Sequence, residues 1–377
     1  MIGDIFLYNI LQIALLLTLL IYGFCISKSH NKQSILITGA IAVIAFSLIE
    51  GLRWDRGPDY YNNYLLLTTN DLNVTKSEPL FNAMISIFKM LSVPYWLCFI
   101  FFSFLYIYSF AKVVKEFPKA AIWALPVMFL TTVSAHENLI RQFIAISFLL
   151  FAFYHYLKKN KTLMLLCLLC IFNVHYSGLF AIAMFFLVTS FKFEKYIKAP
   201  VILVGLYLLL YFFWDTSYLS QVSTVLETIN VGNEDMQLYL ENADRWFTND
   251  GSLSELQGSS YRASLMKIFF DLTTNCSIIY FGFLAMNQDK RLRIPYWFTF
   301  FAMVIFVLGG DIEIYRRFAW WLYVFMPIVL GSIWYSAPIK PKIRIALISI
   351  IAFSYTYAFI RGLGYIPYSG CAFVWDI

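Results

Sequence analysis

The residues of this chain best suited to chemistry are its arginines, and they are distributed unlike its lysines. Most lysines fall in short connections after every second apolar stretch, whereas most arginines fall in the other connections. Lysine therefore follows the positive-inside rule of membrane proteins, and arginine departs from it. Because a guanidinium can bind a phosphate group through two parallel hydrogen bonds, this departure predicts a site for a phosphorylated ligand on the non-cytoplasmic face.

The first arginine-bearing segment directly follows the second apolar stretch. Around a Gly-Pro turn it contains Arg53, Asp55, Arg56, Asp59 and Tyr64. An aromatic belt at the membrane boundary accounts for the tyrosines of this segment. It does not account for four charges in so short a stretch, which indicate either a turn held by arginine–aspartate pairs or a ligand site.

The second segment, 135–142, is expected to begin an apolar helix, with Ser134 or Asn138 as its N-cap. Arg141 and Gln142 would then stand in its first turn, where the helix dipole favours an anion and disfavours a cation. An arginine in this position needs a partner. We expect that partner to be a phosphorylated ligand or, structurally, the carboxylate of Glu137 or Asp311.

The third segment, 173–178, interrupts an apolar stretch that is too long for one span and short for two. Polar residues and a glycine at this break predict two short helices that meet in a protein-lined cavity. His175 is the only histidine that we expect at such depth. It is either a satisfied core residue or an acid–base group.

The last arginines lie near the C-terminal end of the sequence. Tyr315, Arg316 and Arg317 enter an apolar stretch from its non-cytoplasmic end, where arginines can reach lipid phosphates or clamp a ligand. We favour the ligand clamp. Arg361, at the end of the last apolar stretch, is a weaker candidate of the same kind.

The elements that must position these residues are membrane helices. Hydrophobic residues make up 60% of the 377 residues and charged residues only 13%, against roughly 25% charged in a soluble domain. We predict an all-α, polytopic membrane protein with both termini on the non-cytoplasmic side. Since a span needs about 20 apolar residues, we place about twelve spans, at 5–26, 33–50, 95–115, 119–134, 138–157, 161–174, 178–191, 199–215, 263–286, 293–310, 316–335 and 343–361.

Two predicted non-cytoplasmic segments are long enough to contain structure of their own. In 52–92, apolar residues recur at helical spacing from Glu78 to Leu91, which predicts an interfacial amphipathic helix or a short re-entrant hairpin. The second segment, 216–262, is a large extracytoplasmic loop of soluble composition, with a helix expected after Asn233. No internal repeat is recognisable, so we interpret residues 1–377 as a single membrane domain.

Several other classes of function lack their sequence signals. There is no Gly-rich phosphate loop, dinucleotide fingerprint, HExxH or GxSxG motif. We expect no cofactor, and no metal because no cysteine and histidine set has zinc spacing. The net charge of +6 is split between two faces, which indicates membrane orientation and no nucleic-acid partner. Predicted cytoplasmic connections are short, so an activated substrate has to arrive in the lipid.

In these segments the chain resembles the EpsG family of Wzy-type polysaccharide polymerases, relatives of O-antigen polymerases and ligases. The shared motifs are Arg53 with Gly57-Pro58-Asp59 and Tyr64, Glu78-Pro79, Ile140-Arg141-Gln142 with Ala145, His175-Tyr176-Ser177, and Tyr315-Arg316-Arg317. They occur in this order over most of the chain. Two arginines are candidates for each of two family positions, Arg53 or Arg56 and Arg316 or Arg317.

The resemblance implies a GT-C-like architecture, similar to that of O-antigen polymerases and ligases. It also implies a glycosyltransferase of the bacterial inner membrane whose active site faces the periplasm. Its partners would be an undecaprenyl-diphosphate-linked oligosaccharide donor and acceptor in the lipid bilayer, with a chain-length regulator as a further partner. The growing glycan would leave its lipid diphosphate and join a hydroxyl of the next lipid-linked unit.

The residues fit this reaction in the following roles. Arginines aimed at the diphosphate would stabilise the charge that grows on it in the transition state. The diphosphate-binding candidates are Arg141, Arg316, Arg317, Arg53 and Arg56. The acceptor hydroxyl needs a base, for which the candidates are His175, Asp59 and Asp55. Residues expected to contact the substrate elsewhere are Tyr64, Gln142, Tyr315 and Arg361.

Two other functions stay open on the sequence alone. One is a glycan ligase or another lipid-phosphate-dependent glycosyltransferase. The other, less favoured, is a transporter of lipid-linked oligosaccharides, which would be expected to have inverted repeats and a pathway lined toward both faces. Ionisable residues here concentrate on one face, which argues against the transporter.

Overall fold

The computed structural model of the chain describes residues 2–29, 31–69, 78–215, 265–310, 312–363 and 370–376. Within these ranges the chain is helical apart from connections, short 3₁₀ turns and one isolated β-bridge. The loop 216–262, with the helix expected after Asn233, lies outside the described residues.

The described α-helices, in chain order, are α1 (Ile2–Lys28), α2 (Lys32–Gly51), α3 (Tyr60–Thr68), α4 (Pro79–Met90), α5 (Tyr95–Val114), α6 (Ala121–Asn138), α7 (Ile140–Leu157), α8 (Lys161–Val174), α9 (Gly178–Ser190), α10 (Pro200–Phe213), α11 (Leu265–Gln288), α12 (Arg293–Gly309), α13 (Glu313–Tyr323), α14 (Met326–Ser336) and α15 (Pro341–Gly362). Each of the predicted spans coincides with one of these helices or, for 316–335, with α13 and α14 together.

Eight described helices are long and apolar enough to cross a membrane: α1, α2, α5, α6, α7, α11, α12 and α15. Helices α13 and α14 meet at a bend of 44° and together form a ninth candidate span. Helices α8 and α10 are apolar but shorter. The protein is therefore a multi-pass, all-helical membrane protein, as predicted from composition. The number of about twelve crossings stays a prediction.

Local sequence sets several helix boundaries. The side chains of Asn31 and Asn160 accept hydrogen bonds from backbone N–H groups in the first turns of α2 and α8, which is the usual role of an N-cap asparagine. Pro200 opens α10 and Pro341 opens α15, where a missing N–H costs no helical hydrogen bond. Leu139 alone separates α6 from α7.

The junction between α6 and α7 differs from the prediction. We expected His136 and Glu137 to precede a helix that starts near Asn138, but they form the last turn of α6, which ends at Asn138. The backbone N–H of Leu139 donates to the oxygen of Ala135 and closes this turn. The side chains of His136 and Glu137 are consequently buried. Arg141 stands in the first turn of α7, as predicted.

Helix α4 lies within the segment for which the sequence predicts an amphipathic helix. Its buried residues, Phe81 and Ile85, are one turn apart, and α4 packs against α8. Glu78 directly precedes its first residue, Pro79. The packing on α8 therefore brings Glu78 toward the polar break that follows α8.

The chain divides into two compact units. The first comprises Met1–Ile182, Leu330–Tyr335 and Phe353–Ile377, and the second comprises Ala183–Val329 and Ser336–Ala352. In the first unit, α1 packs on α2 and α6, α2 packs on α5, and α7 packs on α5 and α8. In the second unit, α10 packs on α11 and α12 packs on α13.

Candidate functional site

Three side chains of the first unit meet at the start of α4. Arg141 Nη1 donates to Glu78 Oε2 at 2.9 Å, and His175 Nδ1 lies 2.6 Å from Glu78 Oε1. Glu78 precedes α4, Arg141 is in the first turn of α7, and His175 directly follows α8. We call these three residues the Glu78 cluster. Arg141 and His175 are both predicted site residues. Glu78, which contacts both of them, had no predicted role.

The charge state of Glu78 decides which nitrogen of His175 carries a proton. Burial by itself would raise the pKa of the Glu78 carboxyl group, but the hydrogen bond from His175 and the charge of Arg141 outweigh burial and lower that pKa below its ordinary value. An ionised carboxylate only accepts hydrogen bonds, so Nδ1 of His175 must be the donor. In the neutral imidazole, Nε2 then carries the lone pair.

The three residues differ in how far they are exposed. The side chain of Glu78 is 5% exposed, that of His175 is 17% exposed and that of Arg141 is 33% exposed. The ion pair with Glu78 engages Nη1 of Arg141, and a guanidinium has further N–H donors on its other edges. Arg141 can therefore be held by Glu78 and still bind an anion from outside the protein.

The partner of Arg141 corrects one of the two structural alternatives drawn from the sequence, Glu137, and the other stays a prediction. Glu137 is the ion-pair partner of Arg56, with Nε and Oε1 3.1 Å apart, and Asp311 lies outside the described residues. Glu78 is 63 positions from Arg141 in the chain. Only the packing of α8 on both α4 and α7 brings the two side chains together, so sequence spacing could not identify the pair.

A second polar cluster is buried inside the first unit. Arg53 and Arg56 are 1% and 6% exposed and lie between Glu50, at the end of α2, and Glu137, at the end of α6. Arg53 donates to the backbone oxygens of Glu50 and of Glu137, the latter at 3.1 Å. The hydroxyl of Tyr8 donates to Glu137, and the Tyr8 ring centroid lies 4.0 Å from the Arg56 guanidinium carbon. We call these five residues the Glu137 cluster.

Charge compensation explains how four ionisable side chains can be buried together. The carboxyl groups of Glu50 and Glu137 lie beside the guanidiniums of Arg53 and Arg56, and buried charge is tolerated when charged or hydrogen-bonding partners compensate it. Burial would lower the pKa of Arg56, but the negative charge of Glu137 outweighs it and raises that pKa. Arg53 and Arg56, both predicted to bind diphosphate, thus have ionic or backbone partners inside the protein.

His136 belongs to the same buried region. Its Nδ1 lies 4.0 Å from Glu50 Oε2, and Gln12 of α1 donates to Glu50 Oε1 at 2.7 Å. The expectation that His175 is the only histidine at depth was therefore wrong. Glu50 was detectable in the sequence as a carboxylate within an apolar span, a signal that usually marks a specific partner or a function.

The aspartates and Tyr64 lie around the same loop. Asp55 has a left-handed backbone with φ 47°. Asp59 is half-buried at the start of α3, and its backbone N–H donates to Asn138 Oδ1 at 3.1 Å. Tyr64 packs edge-on against Trp54 and Tyr95, with ring centroids 5.0 Å and 4.9 Å away. Asp59 therefore lies beside the α6–α7 junction. Arg141 follows Asn138 by three residues, in the first turn of α7.

Two predicted substrate-contacting residues of the first unit are outside both clusters. Gln142 is buried on α7 and so does not share the exposed edge of its neighbour Arg141. Arg361 is exposed near the end of α15, with its guanidinium carbon 6.0 Å from the centroid of the Tyr357 ring. Within the described residues, no hydrogen bond or ion pair joins Arg361 to the Glu78 cluster.

The second unit contains its own arginine group, at the start of α13. Glu313 pairs through Oε1 with Arg317 Nε at 2.9 Å and through Oε2 with Arg316. Both arginine side chains are less than a third exposed, and Glu313 is more buried than either. Tyr315 packs on Gly309, where a Cβ would lie 2.7 Å from the Cβ of Tyr315. As at Glu78, a more buried glutamate holds arginines that are partly exposed.

The described residues contain no convergent group of three histidine, cysteine, aspartate or glutamate side chains that could hold a metal ion. No curated protein and no solved structure is detectably similar to the chain. The sequence model of the EpsG family matches residues 36–369, nearly the whole sequence. That range includes the Glu78 cluster and all the arginines of the candidate sites. The chain therefore belongs to the EpsG family, a family of Wzy-like polysaccharide polymerases.

Proposed function

We propose that this protein joins oligosaccharide repeat units carried on undecaprenyl diphosphate at the outer face of the inner membrane. It transfers the growing glycan from its lipid diphosphate to a hydroxyl of the next lipid-linked unit. Family membership supports a polysaccharide polymerase in general. The proposed transfer from a lipid diphosphate is supported by the Glu78 cluster. In this cluster one buried carboxylate holds a partly exposed guanidinium and an imidazole of fixed tautomer.

Arg141 is suited to the leaving diphosphate. When the bond between the anomeric carbon and the diphosphate oxygen breaks, both bonding electrons stay with that oxygen and its negative charge increases. A fixed guanidinium that interacts with this charge stabilises the transition state more than the ground state. Because Glu78 already orients Arg141, little reorganisation is needed when the substrate binds.

His175 is suited to the acceptor hydroxyl. As the acceptor oxygen forms its bond to the anomeric carbon, its proton has to move to a base, and the basic nitrogen of a neutral imidazole such as Nε2 of His175 can accept it. Glu78 stabilises the resulting imidazolium through Nδ1, in the manner of a carboxylate that orients a catalytic histidine. Asp59 and Asp55 are the alternative bases.

The remaining arginines divide into two roles in this proposal. Arg316 and Arg317 form a second diphosphate-binding group, held by Glu313 as Arg141 is held by Glu78. Arg53 and Arg56 position the loop that carries Asp55 and Asp59, because both guanidiniums are buried against protein groups. Tyr64, Gln142, Tyr315 and Arg361 stay candidates for contacts to the sugars.

Replacing Arg141 with lysine tests the diphosphate assignment. Lysine keeps the charge but loses the planar fork, so Arg141→Lys should reduce polymer formation by about 100-fold, as removal of one transition-state donor does. Polymer is measured by glycan electrophoresis in cells whose only copy is the variant, at equal protein level. The matched control is Arg291→Lys, since Arg291 is exposed and pairs with Asp289; it should make normal polymer.

Near-normal polymer from Arg141→Lys would contradict the assignment. The lipid-linked glycans that accumulate without the protein separate the alternatives within the proposal. Single repeat units are expected for a polymerase, whereas full-length polymer not attached to its final acceptor would indicate a ligase. Loss of polymer together with repeat units confined to the cytoplasmic face would indicate a transporter.

The outer placement of the site is tested by labelling. We expect both termini and residues 216–262 outside, because most lysines lie in the opposite connections. Single cysteines at Gly251 and at Lys159, in a chain without its native cysteines, should react with an impermeant maleimide from opposite sides of the membrane. Labelling of both from the same side would contradict the proposed orientation of the active site.

A further inference from the structure

Residues 52–59, which we call the arginine loop, lie against the end of α6. Arg53 Nη2 donates to the backbone oxygen of Glu137 at 3.1 Å, and Arg56 Nε lies 3.1 Å from the Glu137 carboxylate. The backbone N–H of Asp59 donates to Asn138 Oδ1 at 3.1 Å. The start, middle and end of the loop are thus each fixed to the same turn of α6.

The backbone of the loop approaches that turn too closely for a side chain at its centre. Gly57 has φ +94°, and a Cβ there would lie 2.7 Å from Asn138 Cα and 2.9 Å from the backbone oxygen of Glu137. Both neighbours are backbone atoms, which cannot rotate away as a side chain can. Only glycine allows this approach without strain.

Glu137 also connects the loop to both terminal segments of the chain. Its carboxylate accepts a hydrogen bond from the hydroxyl of Tyr8 in α1. The ring centroids of Tyr8 and Phe373 are 5.6 Å apart. On either side of Phe373, the C-terminal segment pairs with the loop region: Trp54 N donates to Ala372 O at 3.1 Å, and Val374 N donates to Leu52 O at 3.0 Å. Tyr8 and Phe373 both lie outside the part of the chain matched by the family, residues 36–369.

We infer that Glu137 is a positioning residue that holds the arginine loop at the α6–α7 junction and thereby fixes Asp55 and Asp59 relative to Arg141. The inference rests on the proposed function for the reaction that this geometry serves. Its basis is that one buried carboxylate binds the loop through Arg56 and α1 through Tyr8. Replacing it with a neutral group leaves a guanidinium that is buried and loses its charged partner.

Accessibility of the loop tests the inference without using the glycan reaction. Pro58 is half-buried, so a single cysteine at this position should react slowly with an impermeant maleimide. Adding Glu137→Gln keeps an acceptor for Tyr8 but removes the charge opposite Arg56. We expect the labelling rate to rise about tenfold as local opening becomes more frequent. Gly57→Ala, which disturbs the same contact sterically, should give a similar rise.

Two matched substitutions serve as controls. Glu116→Gln removes a carboxylate from an exposed pair with Lys158, and Gly205→Ala adds a Cβ that meets nothing within 4 Å; neither should change the labelling of residue 58. A chain with Cys98 as its only cysteine reports global unfolding, because Cys98 is fully buried. Cys98 should stay unreactive in every variant that folds.

If Glu137→Gln exposes Cys98, Arg56→Gln is added, which removes the uncompensated charge. That double variant should protect Cys98 and still label residue 58 rapidly. Unchanged labelling of residue 58 in both Glu137→Gln and Gly57→Ala, with Cys98 protected, would overturn the inference. If Glu137→Gln raises the labelling rate of residue 58 but leaves polymer formation normal, the link between the position of the loop and the reaction is overturned. Failure of the Arg141→Lys test alone would count against the proposed function and leave the labelling result intact.

Discussion

The first unit contains two clusters that are each built around a glutamate–arginine pair, and the two pairs differ chiefly in burial. In the Glu137 cluster, a glutamate pairs with Arg56, which is 6% exposed, and the neighbouring arginine is bound to backbone oxygens. In the Glu78 cluster, a glutamate pairs with Arg141, which is 33% exposed. An arginine surrounded by protein groups determines where chain segments lie, whereas an arginine held at one edge can also bind a ligand.

The largest difference between the two clusters is expected when Arg56 or Arg141 is replaced by an uncharged residue. Arg56→Met leaves the buried Glu137 without its guanidinium, a change that costs roughly 3–5 kcal/mol, so the amount of folded protein in membranes should fall sharply. Arg141→Met should leave protein level near normal and abolish polymer, since Arg141 is partly solvated. Immunoblots of membranes and thermal unfolding in detergent measure both. Equal depletion by the two variants would break the distinction between the clusters.

The next largest effect is expected for the imidazole of the Glu78 cluster. If His175 is the base, His175→Gln should reduce polymer by about 100-fold or more without changing protein level or binding of a lipid diphosphate. Glu78→Gln should reduce polymer less, because the imidazole remains and only its orientation and charge stabilisation are weakened. Substantial turnover by His175→Gln would transfer the role of base to Asp59 or Asp55, which the variants Asp59→Asn and Asp55→Asn would then distinguish.

The smallest expected effect is the pH-dependent contribution of Glu78 to the stability of the fold. Its pKa is lowered in the folded protein, so the carboxylate stabilises the fold above the ordinary glutamate pKa of about 4.3, and this contribution is lost as pH falls through the lowered value. Wild type should therefore unfold a few degrees above Glu78→Gln near neutral pH, on the order expected for about 1 kcal/mol. The gap should close in acid. A gap that is independent of pH would mean that Glu78 acts through packing alone.

The helices and the partly exposed candidates, Arg141 and His175, were predictable from sequence for the same physical reason. Long apolar runs identify spans, and Arg141 and His175 are conspicuous because each interrupts such a run at its end. Local rules also placed the break between α8 and α9. These features depend on residues that are close in the chain.

The buried cluster was not predictable in the same way. Its pairs join α1, α2, the arginine loop and α6, and no spacing rule relates these segments. The predicted span 119–134 ends before His136, whereas nothing in Ser134–Asn138 prevents an additional helical turn. That added turn is what directs Glu137 inward toward Arg56. An error of one turn at a helix end therefore concealed the partner of a buried arginine.

The isolated β-bridge between Arg53 and Phe373 places a constraint on biosynthesis. The polypeptide is made from its N-terminus, and early segments fold first, so the arginine loop emerges long before the segment that pairs with it. The loop can reach its final form only after residues 370–376 have been synthesised and have come to lie beside it. A stalled or truncated chain would therefore contain every arginine of the loop and still lack its finished geometry, so we expect incomplete copies of the protein to be inactive.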